Sequence, residues 1–444
     1  MITDMTAGSP GRVLWRFTLP MLGSIVFQQL YNIADSVIAG RFIGEDALAA
    51  VGASYPITML FMAVAVGTSV GCSVVISQLF GARQLRELKL AVNTAFLASL
   101  GIGAVLTAGG LLAGVPLLRL LQTPDNIFDD SFTYLRIYIL GFLFLFLYNI
   151  STGIFTALGD SRTPFYFLLG SSAANVALDL LFVAVFDMGV AGVAWATFLA
   201  QGAAALLAAA TLRRRLRGMT TEGRTGWFSR EMLARILRLA VPSILQQSFV
   251  SVGNLFIQGL VNSFGSSVGA GYSAAVKLNT FAVTSFSTMS NALSSYTAQN
   301  IGAGAVDRVP KGYRAGLLLA LCVAVPFMAA YLGFGGSMVG LFLPEESGAA
   351  LGTGLEFLRI VAPFYPFVML KLLTDGVLRG AGAVRCFTAS TFTDLILRVV
   401  LAYVLTPALG PAGIWLSWPV GWVLSTALAF GFYRFGAWKR SALA

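Results

Sequence analysis

A chain of 444 residues that is 57% hydrophobic and only 11% charged, with a mean hydropathy of +0.81, lies far outside the range of water-soluble domains and reads as a polytopic membrane protein. It contains no histidine, which excludes histidine-based catalysis and metal sites, and its three cysteines, Cys72, Cys322 and Cys386, all lie in apolar stretches without metal-ligand spacing or a disulfide framework. The net charge of +10 does not call for nucleic acid, because most of the Lys and Arg sit at the termini or in alternate loops, whereas the opposite loops carry acids such as Glu45, Asp46, Asp125, Asp129, Asp130, Asp187, Glu345 and Glu346.

That alternation is the positive-inside pattern and predicts both termini on the cytoplasmic side of a bacterial inner membrane. The first apolar segment continues as a full-length span, so no cleavable signal peptide is expected. Apolar runs between turn signals predict twelve helices, over about 14–42, 47–80, 90–114, 130–158, 163–186, 190–212, 235–262, 267–302, 312–335, 354–380, 385–406 and 411–434. The expected fold class is an all-α polytopic membrane protein with twelve transmembrane helices in two pseudo-symmetric six-helix lobes.

The first helix carries one acid, Asp35, between Arg16 and Arg41. An acid inside a span is expensive and marks a functional position. Gln28, Asn32 and Asp35 recur at four- and three-residue spacing, so they form one polar stripe that faces a cavity or a partner helix. Pro20 removes a backbone hydrogen bond within this helix and predicts a bending point, read either as a fixed kink or as a hinge.

The halves of the chain repeat. Pro20 and Asn32 recur as Pro242 and Asn254, SQLFGA at Ser77 recurs as AQNIGA at Ala298, YLRI at Tyr134 recurs as FLRI at Phe357, and Gly153 and Gly159 recur as Gly376 and Gly382. Six helices separate the copies, which therefore share one membrane orientation, and a cleft between the halves is the expected substrate path. The expected domains are residues 1–212 and 235–444, joined by a basic cytoplasmic linker over 213–234 that lies against anionic headgroups.

Depth along the helices, at about 1.5 Å per residue, places Asp35, Asp179 and Thr197 at one level in the outer half of the first lobe. Asn175 precedes Asp179 by four residues and shares its helix face. These four residues make an oxygen-rich set suited to Na+ or to a proton held by two acids, and neither acid has a basic residue three or four positions away. In the second lobe, Asp375 has Lys371 and Asp394 has Arg398 at that spacing, which predicts ion pairs open to a structural or a functional reading; Lys277 is a further candidate counter-charge. Candidate substrate-cleft residues are Gln28, Asn32, Met59, Phe61, Met62, Asn254, Gln258, Lys277, Phe281, Phe286, Met289, Phe364, Tyr365, Met369 and Asp375; aromatic and Met-rich walls suit flat, lipophilic cations.

Taken together, the LP-x14-D spacing from Pro20 to Asp35, FQQLYNIADSVIAGRFIGEDALAAVG, SQLFGA, ALGDSRTP, NVALD at Asn175 to Asp179, and VLRGAG at Val377 resemble the multidrug and toxic compound extrusion (MATE) transporters, over nearly the whole chain. The wording around the first helix is similar to the bacterial branch with an acidic first-lobe site. The resemblance implies two six-helix lobes forming a V and export of cationic or amphipathic compounds in exchange for H+ or Na+. It puts the ion site on Asp35, Asn175, Asp179 and Thr197 and the helix-1 bending proline at Pro20. The seventh helix departs from members that carry a coupling acid there, since it offers Asn254 and Gln258, and leaves Asp375 as the remnant of such a site.

The alternative is a lipid-linked or polysaccharide flippase of the same superfamily, which needs a basic cleft and has Lys277, Lys371 and Arg398 as candidates. An enzyme is not expected: an intramembrane prenyltransferase needs two Asp-rich motifs and NVALD stands alone. No GK[ST] P-loop and no selectivity-filter loop are present, against an ATP-driven pump and a channel. The expected partners are small-molecule substrates and membrane lipid, with neither nucleic acid nor an obligate protein partner, and the expected cofactor requirement is the coupling ion alone.

Overall fold

The computed structural model describes residues 3–42, 45–220, 225–343, 348–436 and 438–439; for residues 32–42 and 45–48 it describes the backbone alone. Among the described residues twelve long helices follow one another. They are α1 (Pro10–Phe42), α2 (Glu45–Gly81), α3 (Leu85–Leu120), α4 (Asp125–Ala157), α5 (Arg162–Val185) and α6 (Gly189–Arg217), then α7 (Arg230–Asn262), α8 (Ser266–Gly302), α9 (Arg308–Gly340), α10 (Gly348–Gly380), α11 (Val384–Leu409) and α12 (Pro411–Arg434). Ten are long and apolar enough to cross a membrane; of the other two, α1 is described only in part and α8 is rich in Ser, Thr and Asn. The fold is an all-α membrane fold. Most helices overrun their apolar centres by a turn, as α3 does through Glu87 and Arg119, because polar residues at a membrane interface are good helix formers.

Two helices depart from regular geometry. The final turn of α5, Leu180–Val185, is π-helical and begins directly after Asp179. A 3-10 turn at Ala362–Phe364 interrupts α10, where Pro363 cannot donate a backbone hydrogen bond. Pro20 lies inside α1, which remains one helix through it, and Ser24 Oγ donates to the Pro20 carbonyl at 3.0 Å.

The chain packs as two units, one of Met1–Asp4 with Leu19–Ser248 and one of Met5–Thr18 with Phe249–Ala444. The expected boundaries at 212 and 235 follow the order of the repeats, whereas packing assigns the start of α1 to the second unit and the start of α7 to the first. Close backbone contacts explain this. Gly67 and Gly71 of α2 leave room for the backbone of Ile244 and Ala240 in α7, and Met5 is buried in the second unit, where its backbone N–H donates to Gln299 Oε1 at 3.0 Å.

The described parts of the segment expected as a basic cytoplasmic linker against anionic headgroups are docked on α3. Lys89 Nζ donates to the Met219 carbonyl at 2.6 Å, Asn93 Nδ2 to the Gly226 carbonyl at 3.0 Å, and the Ser229 N–H to Thr94 Oγ1 at 3.0 Å.

Within the first unit α2 and α4 are joined by serines that donate across the interface, Ser54 to Ser131 O at 3.1 Å and Ser69 to Asn149 O at 2.6 Å. Small residues let membrane helices approach closely and polar ones then hydrogen-bond between them. The second unit repeats the device: Ser290 Oγ donates to Leu372 O at 2.5 Å, and a Cβ on Gly376 would stand 2.5 Å from Ser290 O. Gly159 and Gly382, repeat partners, both sit in left-handed backbone just past a helix end, at φ +79° and +76°. There the N–H groups of Asp160 and Ala383 close back on Phe155 O at 2.9 Å and Leu378 O at 2.8 Å, a glycine-terminated helix end.

Candidate functional site

α5 and α6 meet where Asn175 faces Thr197. Asp179 is 0% exposed and Asn175 3% exposed, so an acid and an amide are both withdrawn from solvent and must find partners inside the protein. The amide orientation that satisfies both ends of Asn175 places its Nδ2 2.9 Å from Tyr31 Oη and 3.1 Å from Asp179 Oδ2, and its Oδ1 3.1 Å from the Thr197 backbone N–H. The Thr197 hydroxyl lies 3.3 Å from the same amide. Three of the four residues expected in the ion site are thus brought together. The fourth, Asp35, lies with Asn32 on α1, and the side chains of both fall outside the described residues.

This cluster borders a cavity of about 450 Å³ inside the first unit. Asn175 and Thr197 form part of its wall, with Gln28, Tyr31, Tyr138 and Gln201 supplying further uncharged polar groups and Met62 and Leu145 apolar ones. No charged side chain is among its described lining residues. Two features are additional to the sequence reading. Tyr31, three residues after Gln28 on α1, was legible as part of the same polar stripe. The π-helical turn after Asp179 had no sequence signal; such turns often occur at functional positions, where they shift the side chains that follow.

Other first-unit candidates separate. Met62 lines the cavity; Met59 is half-buried; Phe61 is buried in the core, edge-on to Phe142 at 4.8 Å.

The charges of the second unit form one buried group with a different wiring from that expected. Lys371 Nζ lies 2.9 Å from Asp375 Oδ2, as its spacing implies, and also 4.0 Å from Asp394 Oδ2. Arg398 is not the partner of Asp394: its guanidinium stacks 4.5 Å above the Trp418 ring of α12, and among the described residues it forms no salt bridge. Lys277 is exposed and lies 5.3 Å from the Phe342 ring, so it neutralises neither acid. Phe286, Met289, Tyr365 and Met369 are buried and contribute to the unit's core; Phe281 packs edge-on to Phe327 at 5.4 Å, and Phe364 is half-buried. Asn254 is exposed on α7, and Gln258 Nε2 donates to Asn262 Oδ1 at 2.8 Å.

Comparison with known proteins matches the family model described as MatE twice in this chain, over residues 20–181 and 242–404. The chain belongs to the MATE family. The two matches begin at Pro20 and Pro242, the prolines that the internal repeat had already placed in register. Among MATE relatives, Probable multidrug resistance protein YpnP of Bacillus subtilis is 30% identical over 99% of this chain and 98% of its own length. A protein named FAD transporter from Shewanella oneidensis is 25% identical over 70% of this chain and 69% of its own length. The solved outward-facing conformation of a multidrug resistance MATE family transporter superposes with a TM-score of 0.91 at 26% identity, covering 99% of each chain. The multi-pass membrane architecture and an efflux-family assignment follow for this MATE chain.

Proposed function

We propose that this MATE chain is a secondary antiporter that exports cationic or amphipathic small molecules against an inward flux of H+, and that Asp35, Asn175, Asp179 and Thr197 carry the coupling. The observation that supports this most directly is the fully buried Asp179, joined through Asn175 to the wall of a polar cavity with no charged side chain among its described lining residues. Burying a carboxylate is costly and taking up a proton removes that cost, so its charge state and its surroundings are coupled. Asn175 bridges Asp179 and Thr197, so a change in the charge of the acid is felt at the cavity wall.

Release of the proton leaves a carboxylate beside the cavity, where a cationic substrate or rehydration stabilises it. Gln28, Met62 and the tyrosines would contact the substrate, and Pro20 would supply the bending point in α1. The cycle uses no prosthetic group, no nucleic acid and no obligate protein partner, only ion, substrate and lipid. The alternation of basic and acidic loops supports a bacterial cytoplasmic-membrane location with both termini inside.

The flippase reading loses support from the same geometry. Of its three basic residues, Lys277 is exposed against Phe342, Lys371 is ion-paired and Arg398 is stacked on Trp418. The name of the Shewanella relative shows that anionic cargo occurs among similar proteins, and it is the outcome to test against.

The deciding experiment is efflux of a fluorescent cation from inside-loaded proteoliposomes under an imposed pH or Na+ gradient. The expected result is export driven by the pH gradient and abolished in Asp179→Asn, with the variant melting as the unmodified protein does. Export at the normal rate by a folded Asp179→Asn variant would remove the first-unit assignment.

A further inference from the structure

A second cavity of the first unit, about 630 Å³, lies where α6 ends, α3 begins and the segment from Thr225 to Ser229 returns across them. Its two ends differ chemically. At one end Arg213 and Arg217 are exposed on α6, one turn apart at about 6 Å. Neither forms a salt bridge among the described residues, and no acidic side chain is among the described lining residues. Lys89 also lines the groove, but its ammonium is held by the Met219 carbonyl at 2.6 Å and secures the returning segment. Away from this end, Phe96, Leu97 and Leu100 continue along α3 toward the apolar centre of the helix, Leu100 lying about 16 Å beyond Lys89. Trp227, 71% exposed, also lines the groove, and indoles are enriched at membrane interfaces.

We infer that this groove binds one anionic glycerophospholipid, its phosphate on Arg213 and Arg217 and an acyl chain along Phe96, Leu97 and Leu100. The charge selects the occupant: two neighbouring arginines with no acid among the described lining residues suit phosphate, which guanidinium groups bind through parallel hydrogen bonds. The apolar continuation selects a lipid over a soluble phosphate, because exposed leucines beside a basic rim gain nothing from a ligand that has no chain. The site stands apart from the Asp179 cluster and does not depend on what the protein transports. The lipid would fix the docked segment against α3 and so stabilise the first unit.

The test is a thermal melt of the full chain in neutral detergent, titrated with phosphatidylglycerol, phosphatidylcholine or glycerol 3-phosphate. Phosphatidylglycerol is expected to raise the melting temperature and the other two are not. Arg213→Gln with Arg217→Gln should weaken the phosphatidylglycerol midpoint about 25-fold. Leu100→Gln should weaken it as well, whereas Arg214→Gln, an exposed arginine of α6 outside the groove, should not. If the double variant melts lower without lipid, Arg217→Gln alone carries the test with about a fivefold change. Equal stabilisation by phosphatidylcholine, reproduction of the effect by glycerol 3-phosphate, or an Arg214→Gln loss as large as that of the pair would each overturn the assignment.

Discussion

The two units descend from one repeat yet handle their buried acids in opposite ways. In the first, Asp179 accepts from the neutral amide of Asn175, which lines a polar cavity. In the second, Asp375 and Asp394 share Lys371, and all three are buried. An acid with a fixed cation gains little from protonation, because neutralising it strands the cation; an acid among neutral donors can exchange its proton without stranding a partner. The difference separates a structural charge group from a candidate coupling group, although both began as intramembrane aspartates.

The strongest way to break this comparison is to remove the shared cation. Lys371→Met removes the ammonium that two buried acids share and should destabilise the protein by about 3–5 kcal/mol. Tryptophan-fluorescence melts in detergent would measure it. Transport should be lost along with the fold, and Asp375→Asn in the same chain should restore part of the stability. A Lys371→Met protein with a normal melt and dead transport would move coupling into the second unit.

Much of this was legible because membrane physics constrains sequence tightly. A bilayer demands long apolar helices, and the residue count along them sets Asp179 and Thr197 at one level. Asn175 was readable from its spacing to Asp179. What stayed hidden depends on a third helix. The i,i+4 spacing allows Asp394 to meet Arg398, but α12 presents Trp418 to the guanidinium and α10 presents Lys371 to the acid. Lys277 likewise read as a buried counter-charge, since hydropathy averages do not say which face of α8 looks outward. The exchange of α1 and α7 starts between units was equally invisible, because a repeat records chain order and not packing.

A smaller effect tests whether the units share their helix contacts while differing in charge. Gly153 sits against Ser69 in the first unit and Gly376 against Ser290 in the second, so an added methyl overpacks both crossings. Gly153→Ala and Gly376→Ala should each cost about 1–3 kcal/mol in the same melts. Similar losses would confirm one inherited packing device. A neutral Gly376→Ala would show that the second unit has relaxed it.

The smallest expected effect lies at the helix ends, where the units diverge again. Asp160 accepts from the Thr163 N–H at 3.1 Å and from Thr163 Oγ1 at 2.7 Å, and it is paired with Arg215, whose guanidinium also stacks 5.4 Å from the Phe155 ring. Burial alone would raise this carboxyl, but the hydrogen bonds from Thr163 and Arg215 outweigh it and hold it below the ordinary carboxylate range. The position following the left-handed glycine in the second unit is Ala383, and Arg379 there bonds Asn291 Oδ1 at 2.6 Å instead of an acid. A carboxyl with a lowered folded value binds its proton more weakly when folded than when unfolded. Its stabilisation is therefore complete at neutral pH, above the unfolded value near 4, and is lost as pH falls through the folded value. Asp160→Asn should lower stability by about 1–2 kcal/mol at pH 7, and the gap from the unmodified protein should close as the pH is brought below about 4. Melts of both proteins across that range cancel the titration of every other acid, because only their difference is read. A gap that persists unchanged at low pH would assign the loss to packing and leave no acid-sensitive corner in the first unit.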